Sequence, residues 1–255
     1  MKEEHIIERM EEAAEDKGVI PIAGRERGSR MIGVEHEESD WDAFLLFAQP
    51  VEEYVTLSGY TDTLSRKFDG GDIDIHGWNV KKFATLAQDS NPNAVEFIMS
   101  ENEYFNNLPN DGLVLDRIRA DMKHNFNHMA LYHHYLSLAK SNYEKYVSSG
   151  KNCTSNRQFY VTRATLMAKH IRKERTFPKL NVWNFLEQTD ALDENERNLL
   201  ELLSEKKQGG ELGEWPDQCG PVLEHEQDVF MEPIDERINN PEKELLNDLV
   251  RQSIA

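Results

Sequence analysis

The chain has 255 residues, 38% hydrophobic and 30% charged, which is enough apolar material for one large domain or two small ones. Its net charge of −18 repels a phosphate backbone and argues against an extended nucleic-acid footprint. No run of about 18 apolar residues offers a membrane span, and the charged N-terminus MKEEHIIERMEEAAEDKG lacks the apolar segment of a signal peptide, so a cytoplasmic location without a membrane partner is expected. Cys153 and Cys219 form no CxxC pattern and are expected to be reduced and structural.

Ile6, Ile7, Met10 and Ala13/Ala14 recur at helical spacing, predicting an amphipathic helix over 3–16 that Gly18 ends. Val19-Ile20-Pro21-Ile22-Ala23 reads as a buried strand. Gly24 to Gly33 reads as a turn rich in Gly and Arg that opens a short helix, and residues 35–40 as an acidic loop. Ala43 to Phe47 is a second buried strand, closed by Pro50, and Glu52 to Leu57 a helical turn. After the turn signal Asp69-Gly70-Gly71, residues 72–76 alternate as a third strand with one polar face. Helices are predicted over 79–89 and 92–100, with Asn91 as N-cap and Pro92 at the first position. Beyond about residue 113 the strand signals stop. One helical stripe runs through 121–148, and further helices are predicted at 157–174, 181–188, 193–207 and from about 241. Residues 208–240, with Gly, Pro and many acids, read as loop. The fold class is α+β, with an α/β domain over 1–113 and an α-helical domain over 114–255.

The charge is uneven. Residues 187–250 hold 19 acids and 5 bases, so most of the excess lies there. Against this background Arg25, Arg27 and Arg30 cluster, as do Arg157, Arg163, Lys169, Arg172, Lys173 and Arg175. Both runs are either solvated faces or local attraction for a polyphosphate.

One constellation carries chemistry. Gly28-Ser29 follows a buried strand, Asp40-Trp41-Asp42 opens the next, and Asp74 lies on a third. Residues i and i+2 of a strand point to the same side, so Asp40 and Asp42 project together, a repulsion that a shared cation relieves. Mg²⁺ suits the task, because it prefers oxygen ligands and keeps waters and substrate phosphates. A third carboxylate would bind a second ion or take the acceptor's proton, and two ions would hold the attacking and leaving oxygens. A glycine turn permits close approach of phosphate. These parts match phosphoryl or nucleotidyl transfer. The bland alternative makes Gly28-Ser29 an ordinary turn, Asp40 a cap, and Asp72 and Asp74 surface residues of an edge strand.

The stretches GSRMIGVEHEESDWDAFLLF, PVEEY, DIDIHGWNVKKFATLAQDSNPNAVEFI, YHHYLSLAKSNYEKY and RQFYVTRATLMAKHI, in this order, resemble the RlaP-like family of the polymerase-β-type nucleotidyltransferase superfamily. The resemblance covers residues 24 to about 207 and departs from the family pattern at Asn79, where Asp is frequent. It implies a polymerase-β-like palm followed by an α-helical domain, an NTP substrate and two Mg²⁺ ions. It further implies Asp40, Asp42 and Asp74 as metal carboxylates, with Asp72 as second choice for the third, and Gly28 and Ser29 as triphosphate contacts. Arg30, beside the turn, approaches a phosphate or pairs with Glu35 or Glu37. The resemblance also covers His134, Lys140, Tyr143, Tyr160 and Arg163. Tyr160 and Arg163, at i and i+3, either stack a base and contact phosphate or serve as core residue and ion pair. His124 and His128, though at i and i+4, are taken as structural, since no other ligand supports them. The expected activity is transfer of an NMP to an RNA end, a protein or a small molecule. The alternatives are an inactive nucleotide-binding regulator and a toxin–antitoxin-type nucleotidylating modifier.

Overall fold

The periodic stripe at the N-terminus buries Ile6, Met10, Ala13 and Ala14 along one side of α1 (Glu3–Lys17). The computed structural model describes residues 3–57, 59–148, 153–213 and 239–254. Among these, five strands form one mixed sheet: β1 (Ile20–Glu26), β2 (Trp41–Ala48), β3 (Thr63–Phe68), β4 (Ile73–Asn79) and β5 (Glu103–Asn106), in the order β3-β4-β2-β1-β5. β2 and β4 run parallel; the other three pairings are antiparallel. α1 packs its apolar stripe on one face, against Ala43, Leu45, Phe47, Ile73 and Ile75. On the other face Phe44 meets Trp78 and Phe97, and Phe97 meets Phe83, so α3 (Val80–Gln88) and α4 (Pro92–Met99) cover that side.

The three predicted strands are present, and the α+β class holds. β1 runs on through Gly24, Arg25 and Glu26, so the expected turn begins only at Arg27. β3 and β5 were not predicted. Both are edge strands. β3 alternates but carries Arg66 and Lys67, and β5 is four residues long. The predicted stripe over 121–148 is not one helix. α5 (Leu113–Met122) ends, and the Asn127 side chain then caps α6 (His128–Asn142) by accepting from Ala130 N. A π-helical turn, Tyr143–Val147, follows. The expected division at 113 also differs from the compact units, which are Met1–Ile32, Ser39–Asn125 and Asn240–Ala255 in one, and Gly33–Glu38 and Phe126–Asn239 in the other. The last helix, α10 (Lys243–Ile254), packs on α3 and α5, so the sheet unit takes helices from both ends of the chain. Most of the predicted 208–240 loop, Cys219 included, lies outside the described residues.

In the second unit α7 (Ser155–Glu174) packs against α6 and α9 (Glu194–Gln208), with α8 (Val182–Gln188) against α9. A buried ion pair joins Lys169 to Glu196, whose second oxygen accepts from Asp193 N at 2.8 Å. Asp193 in turn accepts from Glu196 N, closing a capping box. Cys153 is buried, and Gln158 donates to its sulfur.

Arg25 is the largest buried polar side chain, 1% exposed. It donates to the carbonyls of Phe97 (2.6 Å), Ile98 (2.9 Å) and Ser100 (3.2 Å) and to Glu103 (3.0 Å). Arg119 donates to Ile98 and Ser100 as well, at 2.7 and 3.2 Å. The last carbonyls of a helix lack intrahelical partners and carry partial negative charge. Two guanidiniums therefore stopper the C-terminus of α4. Burial, with Arg119 nearby, brings the Arg25 pKa down to about 10, which still leaves it charged at neutral pH. Arg25→Leu is expected to lower stability by about 3 kcal/mol, because carbonyls and Glu103 lose a buried charged donor. Urea unfolding of the variant measures this, and a loss below about 1 kcal/mol would show that water replaces the guanidinium.

Candidate active site

The parallel register of β2 and β4 sets Asp42 opposite Asp74, with Phe44 opposite His76 and Leu46 opposite Trp78. Asp42 and Asp74 are half-buried neighbours on one sheet face; Asp40 is exposed, just before β2. β4 lies inside the sheet, so Asp74 is not an edge-strand residue. Asp72 is exposed and precedes β4; its carbonyl accepts from Trp41 N at 2.8 Å.

The turn after β1 closes on the same place. Arg27 N donates to the Asp42 carbonyl at 2.7 Å. Gly28, at φ +65°, presses its backbone against the Asp42 carboxylate: a Cβ there would stand 2.2 Å from Asp42 Oδ2. Only glycine satisfies both the left-handed conformation and the contact. Ser29, half-buried, is the second residue of the four-residue helix α2 (Gly28–Met31). Arg30 stacks on Trp41, 3.7 Å from the ring centroid, and donates to Ser39 O at 3.1 Å, so it holds the entry to β2.

Burial raises the Asp42 pKa, and the charges of Asp74 and Asp40 push the same way; Arg27 and His76 oppose them. Around Asp74, Lys67 Nζ lies 3.1 Å from Oδ2 and His76 Nε2 lies 3.2 Å from Oδ1. The latter contact lacks hydrogen-bond geometry, and Asp74 Oδ1 is buried without a hydrogen bond. Among the described residues no group of three or more His, Cys, Asp or Glu is gathered that could hold a metal ion. Mg²⁺ needs no such cage: it is bound through one or two carboxylates, with waters and substrate phosphates completing its octahedron. The adjacent Asp42 and Asp74, with one orphaned oxygen, fit that mode.

Glu26 escaped the sequence reading. It is 5% exposed, accepts from Arg27 N at 3.2 Å and takes a short hydrogen bond from the Tyr104 hydroxyl. Burial drives its pKa up to about 7, and Tyr104 is pushed well above its ordinary value. No sequence signal distinguishes an acid at the end of a strand. Arg27, read only as part of a basic cluster, faces Asp42 electrostatically and donates to Asn93 at 3.2 Å. Asn79 is fully buried; its side chain caps α3 by accepting from Lys81 N and donates to the Tyr54 hydroxyl. The first role suits Asp equally, which accounts for the departure noted in the sequence.

In the helical unit Tyr160 and Arg163 lie on α7. Arg163 donates to Leu180 O at 3.4 Å, a backbone contact rather than an ion pair, and Lys207 Nζ stands 5.1 Å from the Tyr160 ring centroid. His134, Lys140 and Tyr143 follow one another along α6 and the start of the π turn. His128 is bonded to Arg175 O at 2.8 Å and packs on Phe126, while His124 lies between α5 and α6, so the two histidines share no helix.

A mixed sheet carrying paired strand aspartates behind a glycine turn is consistent with a polymerase-β-type nucleotidyltransferase fold. A model of the family described as RlaP, RNA repair pathway DNA polymerase beta family, matches residues 2–252, and the chain belongs to that family. The uncharacterized protein YcgL of Bacillus subtilis (strain 168) is 26% identical over 245 residues, covering 95% of this chain and 88% of that protein. A solved nucleotidyltransferase-like protein from Exiguobacterium sibiricum 255-15 aligns with 98% of this chain and 87% of its own, at 11% identity and a TM-score of 0.29. No helix among the described residues is long and apolar enough to cross a membrane.

Gly28→Ala is expected to cost about 1–2 kcal/mol, from left-handed strain and displacement of Asp42. Chemical unfolding checks it, and an unchanged midpoint would mean that the turn re-forms without the contact. For Glu26 the folded pKa of about 7 stands above the ordinary 4.5. The folded state therefore binds the extra proton between these values, and stability falls as pH rises through that window. Glu26→Gln is expected to flatten the decline between pH 5 and 8 by roughly 2 kcal/mol, read from urea midpoints of both proteins at both pH values.

Proposed function

We propose that the chain transfers a nucleoside monophosphate from Mg-NTP to a hydroxyl or similar nucleophile, with release of pyrophosphate. The observation that carries this reading is the in-register pair Asp42–Asp74 beside the Gly28 turn. Asp40 and Asp42 would hold a metal ion, with Asp74 completing the set; Mg²⁺ there would supply neutralisation of the triphosphate charge during displacement. Asp74 accepts the proton that the acceptor hydroxyl loses as it attacks the α-phosphorus and the bond to pyrophosphate breaks. The glycine turn, with Ser29, admits the triphosphate close to the backbone. Lys67 yields Asp74 when substrate enters, which its exposed position allows.

The family's description, an RNA repair pathway, makes an RNA end the first acceptor to try. The acidic body disfavours a long RNA footprint but accommodates a terminus. A protein or small-molecule acceptor would use the same carboxylates.

The test is incubation with α-³²P-labelled NTPs, Mg²⁺ and a panel of RNA, protein and small-molecule acceptors. Label is expected on one class. Asp42→Asn is expected to reduce transfer by a factor on the order of 100 or more, as loss of a charge-stabilising group does. It is also expected to raise the melting temperature, since a repelling, half-buried charge disappears. Near-normal turnover by a folded Asp42→Asn variant would sink the proposal.

A further inference from the structure

We infer that Lys207, Asn156 and Tyr160 of the helical unit form an anion site that takes a phosphate group of a nucleotide or polyphosphate. The need for an anion stands by itself; the choice of phosphate rests on the nucleotidyl-transfer reading above. Lys207 is 5% exposed, on the last turn of α9. Among the described residues its ammonium makes one hydrogen bond, to Asn156 Oδ1 at 2.8 Å, a neutral acceptor. Its other neighbours are aromatic rings, Tyr160 at 5.1 Å and Phe159 at 6.0 Å. No carboxylate among the described residues pairs with it.

Two other lysines show how unusual this is. Lys169, 6% exposed on α7, is paired with Glu196, and Lys206, next in sequence to Lys207, reaches Glu211 at 2.6 Å. An ammonium has three donors, and burying its charge without a counter-ion is unfavourable. The ring contacts offset only part of the loss. The Lys207 pKa is accordingly lowered by burial, with no opposing acid. An anion arriving at the ammonium would supply both the charge and the missing acceptors, and lysine is a point-charge phosphate binder.

Access is from the α7 side. Asn156 is half-buried and Tyr160 is 37% exposed, so the residue bonded to the ammonium and the ring beside it also reach solvent. Asn156, Tyr160 and Arg163 follow at i, i+4 and i+7 on α7, one helix face. The single long contact of Arg163 with Leu180 O leaves guanidinium donors for a further phosphate oxygen.

The test is titration calorimetry of the full chain in EDTA at fixed salt, with tripolyphosphate, ATP and a 5′-phosphorylated RNA oligonucleotide in separate arms. Tripolyphosphate is expected to bind, and Lys207→Met to weaken it at least tenfold, while Lys207→Arg retains most of the affinity. Asn156→Asp, which sets a carboxylate against the ammonium, is expected to abolish binding and raise the melting temperature. Tighter binding of ATP would assign the phosphate to the nucleoside triphosphate, and tighter binding of the RNA to the acceptor. Equal affinities of wild type and a folded Lys207→Met, or no binding of any probe at millimolar concentration, would overturn the inference. Because no metal is present, loss of this binding is separable from failure of the transfer reading. Transfer that depends on Asp42 would survive if Lys207→Met bound normally, and binding lost with Lys207 would survive if Asp42→Asn kept its turnover.

Discussion

Parallel pairing of β2 with β4 in one register fixes both the core and the candidate site. Side chains alternate across a sheet, so a slip of one residue would turn Asp42 or Asp74 toward α1 and expel its apolar neighbours. Leu45, Phe47, Ile73 and Ile75 are fully buried, and each such side chain is worth about 1.5–3 kcal/mol. The repulsion between two half-buried carboxylates on neighbouring strands is roughly 3 kcal/mol at the effective dielectric of a protein surface. Burial therefore wins with a wide margin, and it holds two like charges where isolated strands would not keep them. The aspartates are a repulsion imposed by packing, which Lys67, 3.1 Å from Asp74 Oδ2, relieves in part.

The same strands explain what was legible in the sequence. Ala43 to Phe47 is a continuous apolar run, and residues 72–76 alternate, because β2 is buried on both faces and β4 on one. Periodicity reports burial, so interior strands announce themselves. β3 and β5 sit at the edges, where charged residues such as Arg66, Lys67 and Glu103 discourage pairing with other chains, and that defence erases the pattern. The Asp-x-Asp motif stands out by its spacing, but Asp40 lies just before β2, and the strand neighbour of Asp42 is Asp74. Asp74 could be chosen over Asp72 only through resemblance, since the register that opposes it to Asp42 is a long-range fact.

Arginines were harder to read than acids. Arg25, Arg27 and Arg30 look alike in sequence but serve three tasks. Arg25 stoppers α4, Arg27 opposes the Asp42 charge, and Arg30 lies on Trp41. Alternation along β1 sends Arg25 and Glu26 to opposite faces, and helix ends that accept a guanidinium are assembled from residues about seventy positions away. Nothing local could assign these roles. Glu26 is the sharper case: its burial depends on Tyr104 of β5, an edge strand the sequence did not reveal.

In the helical unit the decisive information is also in pairings rather than in composition. Residues 187–250 are strongly acidic, so any lysine there has carboxylates in abundance along the chain. Glu196 is committed to Lys169 and to its own helix start, and Glu211 to Lys206. Among the described residues, Lys207, which packs inward on α7, is left with an amide and two rings. A surface lysine in such a segment would find a counter-charge by flexing, but a buried one is limited to what its helix neighbours present. The acid surplus therefore sharpens the contrast: within the segment that carries most of the negative charge, Lys207 has no carboxylate partner among the described residues and lies beside solvent-reaching polar side chains. In such a field an anion has few places to bind, and the site selects by local charge what the whole chain excludes.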